Sequence, residues 1–527
     1  MATKIEVANG GGDDDLDEEM QLQYREPLLE RPYSPSQSSV AVNSACDTTD
    51  EEITAAQPQT ASLSSTHDAD ERKGQGRRLS SLDVFRGLTV ALMILVDDAG
   101  GAFPSINHSP WFGVTLADFV MPFFLFSVGI SIGLVFKKTP NKLQATKKVM
   151  ARTIKLFLLG VLLQGGYFHG RDHLTYGVDV GKIRWMGVLQ RISIGYFLAS
   201  MAEIWLTRKI VVDSPMSFTR KYYIQWMVAL FLCSLYMCLV YGLHVPDWEY
   251  EGTNTNISSH ASSSASVYCR TRGSLEPPCN AIGYIDRCIL GQYHLYQHPV
   301  YRRTKECSVN SPDYGPLPPN SPGWCLAPFD PEGLLSSLMA TVTCFVGLQF
   351  GHVILHNQSH VQMLIIWCML SLPLLILGHA LDIVAGIPLC KPLYTLSYVF
   401  VTAGAAGLVL TLIYYTVDIK QWRKPLVWLQ WMGMNALIVY GLAACDLFPE
   451  ALQGFYWRSP ENNLVDVTER ALQNVFRSEN WGTLVFVLVE ILFWAVVAGY
   501  LHMKDNRFIR WLRSSVRYPM LSQLTCY

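Results

Sequence analysis

Long apolar segments constrain the fold of this chain more than any other feature. Runs such as FVMPFFLFSVGISIGLVF and GTLVFVLVEILFWAVVAGYL are too long and too uniformly apolar for the amphipathic helices of a soluble domain. Such runs lie at roughly 84–103, 114–136, 152–170, 186–206, 222–244, 333–355, 362–385, 393–416, 425–445 and 481–503. Because a bilayer core requires about 20 apolar residues per helix, the sequence predicts an all-α polytopic membrane protein with about ten transmembrane helices and a long extracytoplasmic loop.

The two ends of the chain differ in composition from the middle. Residues 1–78 are polar and acidic, with segments such as GGGDDDLDEE, and are expected to form a disordered cytoplasmic tail. No basic region followed by an apolar run opens the chain, so we expect no cleavable signal peptide. Residues 79–505 hold the apolar runs and form the predicted transmembrane domain, and residues 506–527 form a basic cytoplasmic tail. The net charge of −2 gives no indication of nucleic-acid binding.

The placement of lysine and arginine predicts how the spans are oriented. Basic clusters precede the first span, follow the second, fourth and eighth spans, and occupy the carboxyl-terminal tail. The loop after the first span contains neither residue type. Because basic residues are enriched in cytoplasmic loops, both termini are expected to be cytoplasmic. The turn after span one and the long loop 245–332 then lie on the opposite, extracytoplasmic side.

The long loop carries features of an oxidising compartment. Disulfides and N-linked glycans are compatible with the extracytoplasmic side of a membrane. Cys269 with Cys279, and Cys307 with Cys325, are the favoured disulfide pairs, although spacing alone does not fix the connectivity. Asn256 opens the sequon NIS and is the predicted glycosylation site.

A histidine in the turn after span one is the first candidate for chemistry. His108 follows Asp97 by eleven residues, and Gly100, Gly101 and Pro104 interrupt the helix between them. The chain can therefore bend back and bring His108 to the outer mouth of a cavity that Asp97 enters. A neutral imidazole can act as a general base or as a nucleophile. The alternative is a histidine that only faces lipid headgroups.

Further polar residues lie in or beside the apolar runs, where their cost makes them functional candidates. Arg191 lies inside span four and needs a carboxylate, a phosphate or water as its partner, and Asp118 and Asp97 are the candidate carboxylates. A helix start or local loop packing would explain several of the others equally well. The loop motif HLYQH lacks a matching second ligand pair, so no metal site is predicted. The candidate substrate-binding residues are Arg184, Gln190, Arg191, Asp118, Asp286, Arg287, His294, His298 and Asn435.

Several motifs occur in a fixed order through nearly all of residues 79–505. They are RLSSLDVFRGLTVALMILV, HSPWFGVTLADFVMPFFLF, GVLQRISIGYF, GYIDRCILGQYHLYQHP, DPEGLLSSL, LSYVF and GMNALIVY. They resemble the heparan-α-glucosaminide N-acetyltransferase family. The resemblance implies transfer of acetyl groups from cytosolic acetyl-coenzyme A to a terminal glucosamine on the lumenal side of the lysosomal membrane. It also implies that His108 is the active-site histidine.

Two departures from the family pattern stand out. The asparagine that partners the family's histidine aligns with Asp97, so a carboxylate replaces an amide there. A carboxylate can orient or charge an imidazole in a way that an amide cannot. The animal enzyme, moreover, has a lumenal domain and an extra first span where this chain has the acidic tail. We therefore take His108 and Asp97 as the candidate catalytic pair and leave a different acceptor open.

The predicted function is an integral-membrane acyltransferase in which residues 79–505 form the acyltransferase domain. It would move an acetyl group from acetyl-coenzyme A to an amino sugar or other glycan on the extracytoplasmic side, with His108 as base or acetyl carrier. Its other expected partner is membrane lipid, and the sequence leaves a homodimer open. A lysosome- or vacuole-like compartment or another endomembrane is expected, with the plasma membrane as an alternative. The rival function is a multi-span small-solute transporter or receptor, which the lack of an inverted repeat disfavours.

Overall fold

The computed structural model describes residues 79–516, apart from 137–140, 165, 171–172, 178–179, 209, 213, 253–262 and 358. The predicted acidic tail, the sequon at Asn256 and residues 517–527 of the predicted basic tail lie outside the described residues.

Helices account for most of the described chain. They are α1 (Ser80–Ala99), α2 (Leu116–Val135), α3 (Lys142–Leu162), α4 (Val188–Leu206), α5 (Pro215–Gly242), α6 (Ala281–Leu290), α7 (Leu334–His356), α8 (His360–Ile383), α9 (Leu396–Tyr414), α10 (Val427–Met434), α11 (Ala436–Ala443), α12 (Leu447–Gln453), α13 (Leu464–Phe476) and α14 (Glu479–Val516). A π-helical turn, Tyr415–Ile419, extends α9. The last helix runs beyond residue 505, so it includes the start of the predicted basic tail.

The helices overlap the apolar runs, but the predicted number of ten spans is not confirmed. Among the described residues, six helices are long and apolar enough to cross a membrane, namely α2, α5, α7, α8, α9 with its π-helical turn, and α14. The ninth run is broken into α10 and α11, which are bent by 75° and would add a seventh span if counted together. Helix α1 carries Asp83, Arg86, Asp97 and Asp98, and these charges lower its mean hydropathy.

Short antiparallel strand pairs modify the all-α prediction. Strand β1 (Gly166–Gly170) pairs with β2 (His173–Gly177), and β7 (Tyr456–Trp457) pairs with β8 (Ser459–Asn463). Between α5 and α7, β3 (His244–Val245) pairs with β6 (Thr271–Arg272), and β4 (Trp248–Gly252) pairs with β5 (Ser263–Val267).

Both favoured disulfides form in the segment between α5 and α7. Cys269 is bonded to Cys279 and Cys307 to Cys325, with Cα atoms 5.3 and 5.5 Å apart. These crosslinks and the short strands hold together a segment that has little continuous helix of its own.

Glycines bring the backbones of the central helices into direct contact. A Cβ atom on Gly129 of α2 would lie 2.1 Å from the carbonyl oxygen of Cys344 in α7. In the reverse direction, a Cβ atom on Gly347 would lie 2.2 Å from the carbonyl oxygen of Phe126. Close packing of this kind replaces the hydrophobic effect as the force between helices in a lipid environment. It makes α7, most of whose residues are buried, the centre of the bundle.

A closed ring of polar side chains joins α4, α5 and α7 near the carboxyl end of α7. Gln225 Nε2 donates to Glu203 Oε2 at 2.7 Å, and Gln349 Nε2 donates to Gln225 Oε1 at 3.3 Å. The ring closes through His352, whose Nδ1 lies 3.3 Å from Gln349 Oε1 and whose Nε2 lies 3.0 Å from Glu203 Oε2. We did not predict this ring from the sequence. Its hydrogen bonds give all four buried side chains partners, and these bonds offset the free-energy cost of removing the polar groups from water.

Replacing Gly347 by alanine tests the helix contact. The new methyl group meets the backbone of α2, so we expect a loss of about 1–3 kcal/mol in the free energy of unfolding, as for other overpacked cores. Thermal unfolding in detergent, followed with size-exclusion chromatography, measures the loss. Gly441→Ala is the matched control, because nothing lies within 4 Å of a Cβ atom at that helical position. Equal stability of the two variants would contradict the packing argument.

Candidate active site

The turn between α1 and α2 is shaped by a carboxylate at the start of α2. Asp118 is completely buried, and its Oδ2 accepts hydrogen bonds from the backbone N–H groups of Ser109 at 3.2 Å and Thr115 at 3.0 Å. The exchange with Thr115 forms a capping box at the first turn of α2. Asp118 therefore fixes both the helix start and the path of the residues that precede it.

The second oxygen of the same carboxylate holds the histidine. Asp118 Oδ1 lies 2.9 Å from His108 Nδ1. An ionised carboxylate only accepts hydrogen bonds, so Nδ1 carries the hydrogen and donates it. In the neutral ring, Nε2 then has a free lone pair, which is the atom needed for a base or nucleophile. The His108 side chain is 32% exposed, so substrate can reach it.

Lysine 391 completes this cluster, and the sequence analysis missed it. Lys391 Nζ lies 2.9 Å from His108 Nδ1 and 3.2 Å from its Nε2, and 3.7 Å from Asp118 Oδ1. The residue belongs to the connection between α8 and α9, which reads VAGIPLCKPLYT. A single charge in this otherwise uncharged connection was the signal that could have drawn attention to it. We call His108, Asp118 and Lys391 the His108 cluster.

The cluster sets the protonation state of the histidine. Burial lowers the pKa of His108 below its ordinary value of 6.5, and the Lys391 cation lowers it further. The hydrogen bond and charge of Asp118 act in the opposite direction and raise the same pKa. The net effect is a lowered pKa, so the neutral ring persists into mildly acidic solution.

Asp97 lies near the cluster without bonding to the histidine. The structure puts Asp118, and not Asp97, in hydrogen-bond contact with His108. Asp97 is exposed at the end of α1 and interacts electrostatically with Lys391. On the other side of the turn, Asn107 Nδ2 donates to Asp313 Oδ1 at 3.0 Å. That bond connects the histidine turn to the loop closed by the Cys307–Cys325 disulfide.

A second charged group lies at the start of α7. Arg184 Nε donates to Asp330 Oδ2 at 3.0 Å, and its Nη2 contacts both Asp330 and Glu332. Burial lowers the pKa of the Arg184 guanidinium, but the two carboxylates outweigh it and hold that pKa above its usual range. Glu332 also interacts electrostatically with Arg191 and with Lys391 of the His108 cluster.

The expected partners of Arg191 were wrong. Its guanidinium does not bond to Asp118 or Asp97; Nη2 donates to the carbonyl of Pro331 and to Ser336 Oγ, each at 2.6 Å. The same group lies over the ring of Tyr394, 5.2 Å from its centroid. Arg191 is fully buried, and its contacts tie α4 to the start of α7.

The candidates in the loop motif GYIDRC have structural contacts. Asp286 Oδ1 accepts from the backbone N–H of Leu334, and burial raises the pKa of this carboxyl to about 7. Its other oxygen lies against Gly333, where a Cβ atom would come within 1.8 Å. The Arg287 guanidinium lies 3.7 Å from the centroid of the Trp248 ring. Asp286 thus holds the loop against the start of α7 and Arg287 packs within the loop, and the structure does not bring either residue to the His108 cluster.

The remaining candidates are dispersed. His294 Nδ1 bonds to the carbonyl of Ile183 at 2.7 Å, and His298 is exposed beside Tyr296. Asn435 lies at the break between α10 and α11, where its amide donates to the carbonyl of Ala498 in α14 at 3.2 Å. Gln190 is buried, and within the described residues neither of its amide atoms has a hydrogen-bond partner.

Among the residues that the structure describes, no group of three or more histidine, cysteine or acidic side chains could hold a metal ion.

The chain is similar in sequence to one protein family and to two curated proteins. The family "heparan-alpha-glucosaminide N-acetyltransferase, catalytic" matches residues 78–243, which include His108, Asp118, Arg184 and Arg191. The mouse heparan-alpha-glucosaminide N-acetyltransferase (Mus musculus) is 27% identical over 456 residues, covering 82% of this chain and 63% of that protein. The human protein of the same name (Homo sapiens) is 27% identical over 439 residues, covering 80% of this chain and 60% of that protein.

The chain therefore spans somewhat less than two thirds of the length of these curated relatives. The family match includes His108 and Asp118 of the His108 cluster and the candidate spans α2 and α5, whereas Lys391 lies outside it. Residues 78–243 are thus similar to the catalytic region of the heparan-alpha-glucosaminide N-acetyltransferase family, and most of the chain is similar to the two curated proteins of that name.

Proposed function

We propose that this chain is an integral-membrane acetyltransferase that moves an acetyl group from acetyl-coenzyme A to an amino sugar or another glycan acceptor. The observation that carries the proposal is the His108 cluster: a partly exposed imidazole fixed by a buried carboxylate beside a lysine cation. The relatives' names, which specify N-acetyl transfer, supply the reaction class.

The cluster suits proton removal from an amine. With Nδ1 bonded to Asp118, the Nε2 lone pair of His108 takes a proton from the acceptor amine as its nitrogen attacks the thioester carbonyl. The carbon–nitrogen bond forms, the carbon–sulfur bond breaks, and the thiolate of coenzyme A leaves. Lys391, within hydrogen-bond distance of the ring, stabilises the negative charge that develops on the carbonyl oxygen. The same lone pair could instead carry the acetyl group between donor and acceptor.

The arginines near the cluster have a structural part in this proposal. Arg184 pairs with Asp330 and Glu332, and Arg191 Nη2 donates to Pro331 and Ser336, which supports a structural role for both guanidinium groups in this proposal. They hold the start of α7 against α4, which fixes the wall of the site. We place the phosphates of acetyl-coenzyme A elsewhere, at basic residues on the opposite side of the membrane.

The orientation of the chain is part of the same proposal. The end of the bundle with His108 faces the lumen or exterior, both termini are cytoplasmic, and the disulfide-linked segment 245–332 covers the site from the lumenal side. The lysine and arginine distribution and the two disulfides support this orientation. A lysosome- or vacuole-like membrane is the proposed location.

Substitution of His108 tests the function. In purified full-length protein, His108→Ala should lower acetyl transfer from acetyl-coenzyme A to glucosamine by about 10²–10⁴-fold, the usual contribution of a general base or acid. His244→Ala, an exposed histidine of strand β3, is the matched control and should leave the rate unchanged. Thermal unfolding profiles check that both variants are folded.

Two outcomes would contradict the proposal. Normal transfer by the folded His108→Ala variant removes the histidine from the mechanism. Wild-type protein that neither binds nor turns over acetyl-coenzyme A, with any amino sugar, supports the small-solute carrier instead.

Two carboxylate substitutions separate the roles of Asp118 and Asp97. Asp118→Asn keeps a hydrogen-bond acceptor for the turn but removes the charge that orients His108, so we expect a loss of about 10²-fold or more in kcat. Asp97 is exposed and interacts electrostatically with Lys391, without a hydrogen bond to His108. Asp97→Asn should therefore lower kcat by less than about tenfold. Steady-state kinetics with glucosamine measure both, and equal losses would contradict this division.

The pH profile tests the electrostatics of the cluster. Neutral His108 is the active form, so kcat/KM falls as pH drops through its pKa, which lies below 6.5. Lys391→Met removes a cation that lowers this pKa, so the acid limb should move to higher pH. Asp118→Asn removes a group that raises the pKa of His108, so the acid limb of the variant's remaining activity should move to lower pH. Shifts in the same direction in both variants would contradict the assignment.

A further inference from the structure

Lys391 presents a primary amine to the histidine, which is the functional group that the proposed reaction acetylates. We propose that the Lys391 amine, held against both ring nitrogens of His108, is itself acetylated by acetyl-coenzyme A when no acceptor occupies the site. This inference rests on the proposed function, because it uses the same donor and the same base. It makes Lys391 a modification site that regulates the enzyme's own activity.

The first argument is position. Lys391 Nζ lies 3.2 Å from His108 Nε2, the ring nitrogen that the Asp118 hydrogen bond leaves free. An acceptor amine must come equally close to Nε2 to give up its proton. The lysine nitrogen is therefore within the distance of Nε2 that an acceptor nitrogen must reach, although it lies slightly closer, at 2.9 Å, to Nδ1. Its side chain is 17% exposed, so the acetyl group of a bound thioester can reach it.

The second argument is rigidity. The backbone N–H of Gly113, in the histidine turn, donates to the carbonyl of Leu389 at 2.7 Å. Leu389 N–H in turn donates to Asp382 at 3.2 Å, and Cys390 N–H donates to Thr395 at 3.2 Å. The connection that carries Lys391 is thus bonded both to the turn and to the flanking helices. Held reactants gain a large rate advantage over freely diffusing ones.

The chemical step balances without any further reactant. The Lys391 ammonium gives one proton to His108 Nε2, and the nitrogen lone pair attacks the thioester carbonyl carbon. The new nitrogen–carbon bond forms, and a second proton passes to water. The carbon–sulfur bond breaks with its electron pair on sulfur, and the thiolate takes the proton from the imidazolium. The products are Nζ-acetyl-lysine, coenzyme A and one proton.

The neighbouring carboxylate keeps this reaction slower than transfer to an acceptor. Asp118 Oδ1 lies 3.7 Å from Nζ and forms an ion pair with Lys391, and this contact must be lost before the nitrogen can attack the thioester. Acetylation should therefore accumulate only while acetyl-coenzyme A is present without an acceptor. Once formed, the amide removes the cation beside His108 and fills the acceptor position. The consequence is self-inactivation that an amino sugar prevents.

Mass spectrometry of the full-length protein tests the inference. Purified protein is incubated with deuterated acetyl-coenzyme A, with or without excess glucosamine, and the transfer rate is followed in parallel. Because Pro392 follows Lys391 and blocks tryptic cleavage, pepsin is used to produce the reporting peptide. Lys305, an exposed lysine in the disulfide-linked loop, is the internal control for uncatalysed acetylation.

We expect label at Lys391 to exceed label at Lys305 by about tenfold or more and to fall by about 10²-fold in His108→Ala. Glucosamine should suppress the label, and preincubation with acetyl-coenzyme A alone should lower the later transfer rate of wild type in proportion to the label at Lys391. The glucosamine comparison uses wild-type protein only, so it holds even if a variant fails to fold.

The opposite results separate this inference from the proposed function. Transfer to glucosamine with no label on Lys391, or with equal label on Lys305, overturns the inference and leaves the proposed function in place. Label that persists in folded His108→Ala also overturns it, since the acetylation would then be uncatalysed. No transfer and no label overturn both.

Discussion

The buried carboxylate of Asp118 is the group on which the candidate site depends. It is completely removed from solvent, so leaving either oxygen without partners would be costly. One oxygen takes two backbone N–H groups and shapes the turn, and the other takes the His108 ring. The charge also attracts Lys391. A single residue at the first turn of α2 therefore determines the position, tautomer and electrostatic surroundings of the histidine.

The rest of the bundle keeps that carboxylate buried. The hydroxyl of Tyr398 in α9 donates to the backbone carbonyl of Asp118, and Gly113 bonds to Leu389 ahead of α9. Helix α7 packs against α2 through Gly129 and Gly347. At the far end of α7, the ring that contains Glu203 and His352 joins the same helix to α4 and α5. The backbone contact between α2 and α7 and the polar ring at the far end of α7 hold the helices in fixed positions. Small displacements of the histidine turn are therefore unfavourable.

The positions of the helices follow from the sequence because a 20-residue apolar run is a local property. Each predicted run overlaps a helix. The number of spans was harder to predict from the sequence. Charges in α1 and the break at Asn435 reduce the long apolar helices among the described residues to six or seven. Beside the 75° bend, Asn435 bonds to Ala498 and Trp431 packs against Gly499, both in α14, and these distant contacts are not visible in the local sequence. The two disulfides were the pairs that the sequence favoured without fixing the connectivity, and the strands that accompany them were not predicted.

For the site, the sequence alone determined which residues were worth attention. A histidine, an aspartate or an arginine inside or beside an apolar run is energetically costly, and that cost is visible without a structure. Only the tertiary structure decided the partners. His108 pairs with Asp118 in place of Asp97, Arg191 bonds to Pro331 and Ser336, and Lys391 reaches His108 from 283 positions along the chain. The physical reason is that the presence of a polar group is a property of the residue itself, whereas its hydrogen-bond partner is set by the packing of helices far apart in sequence.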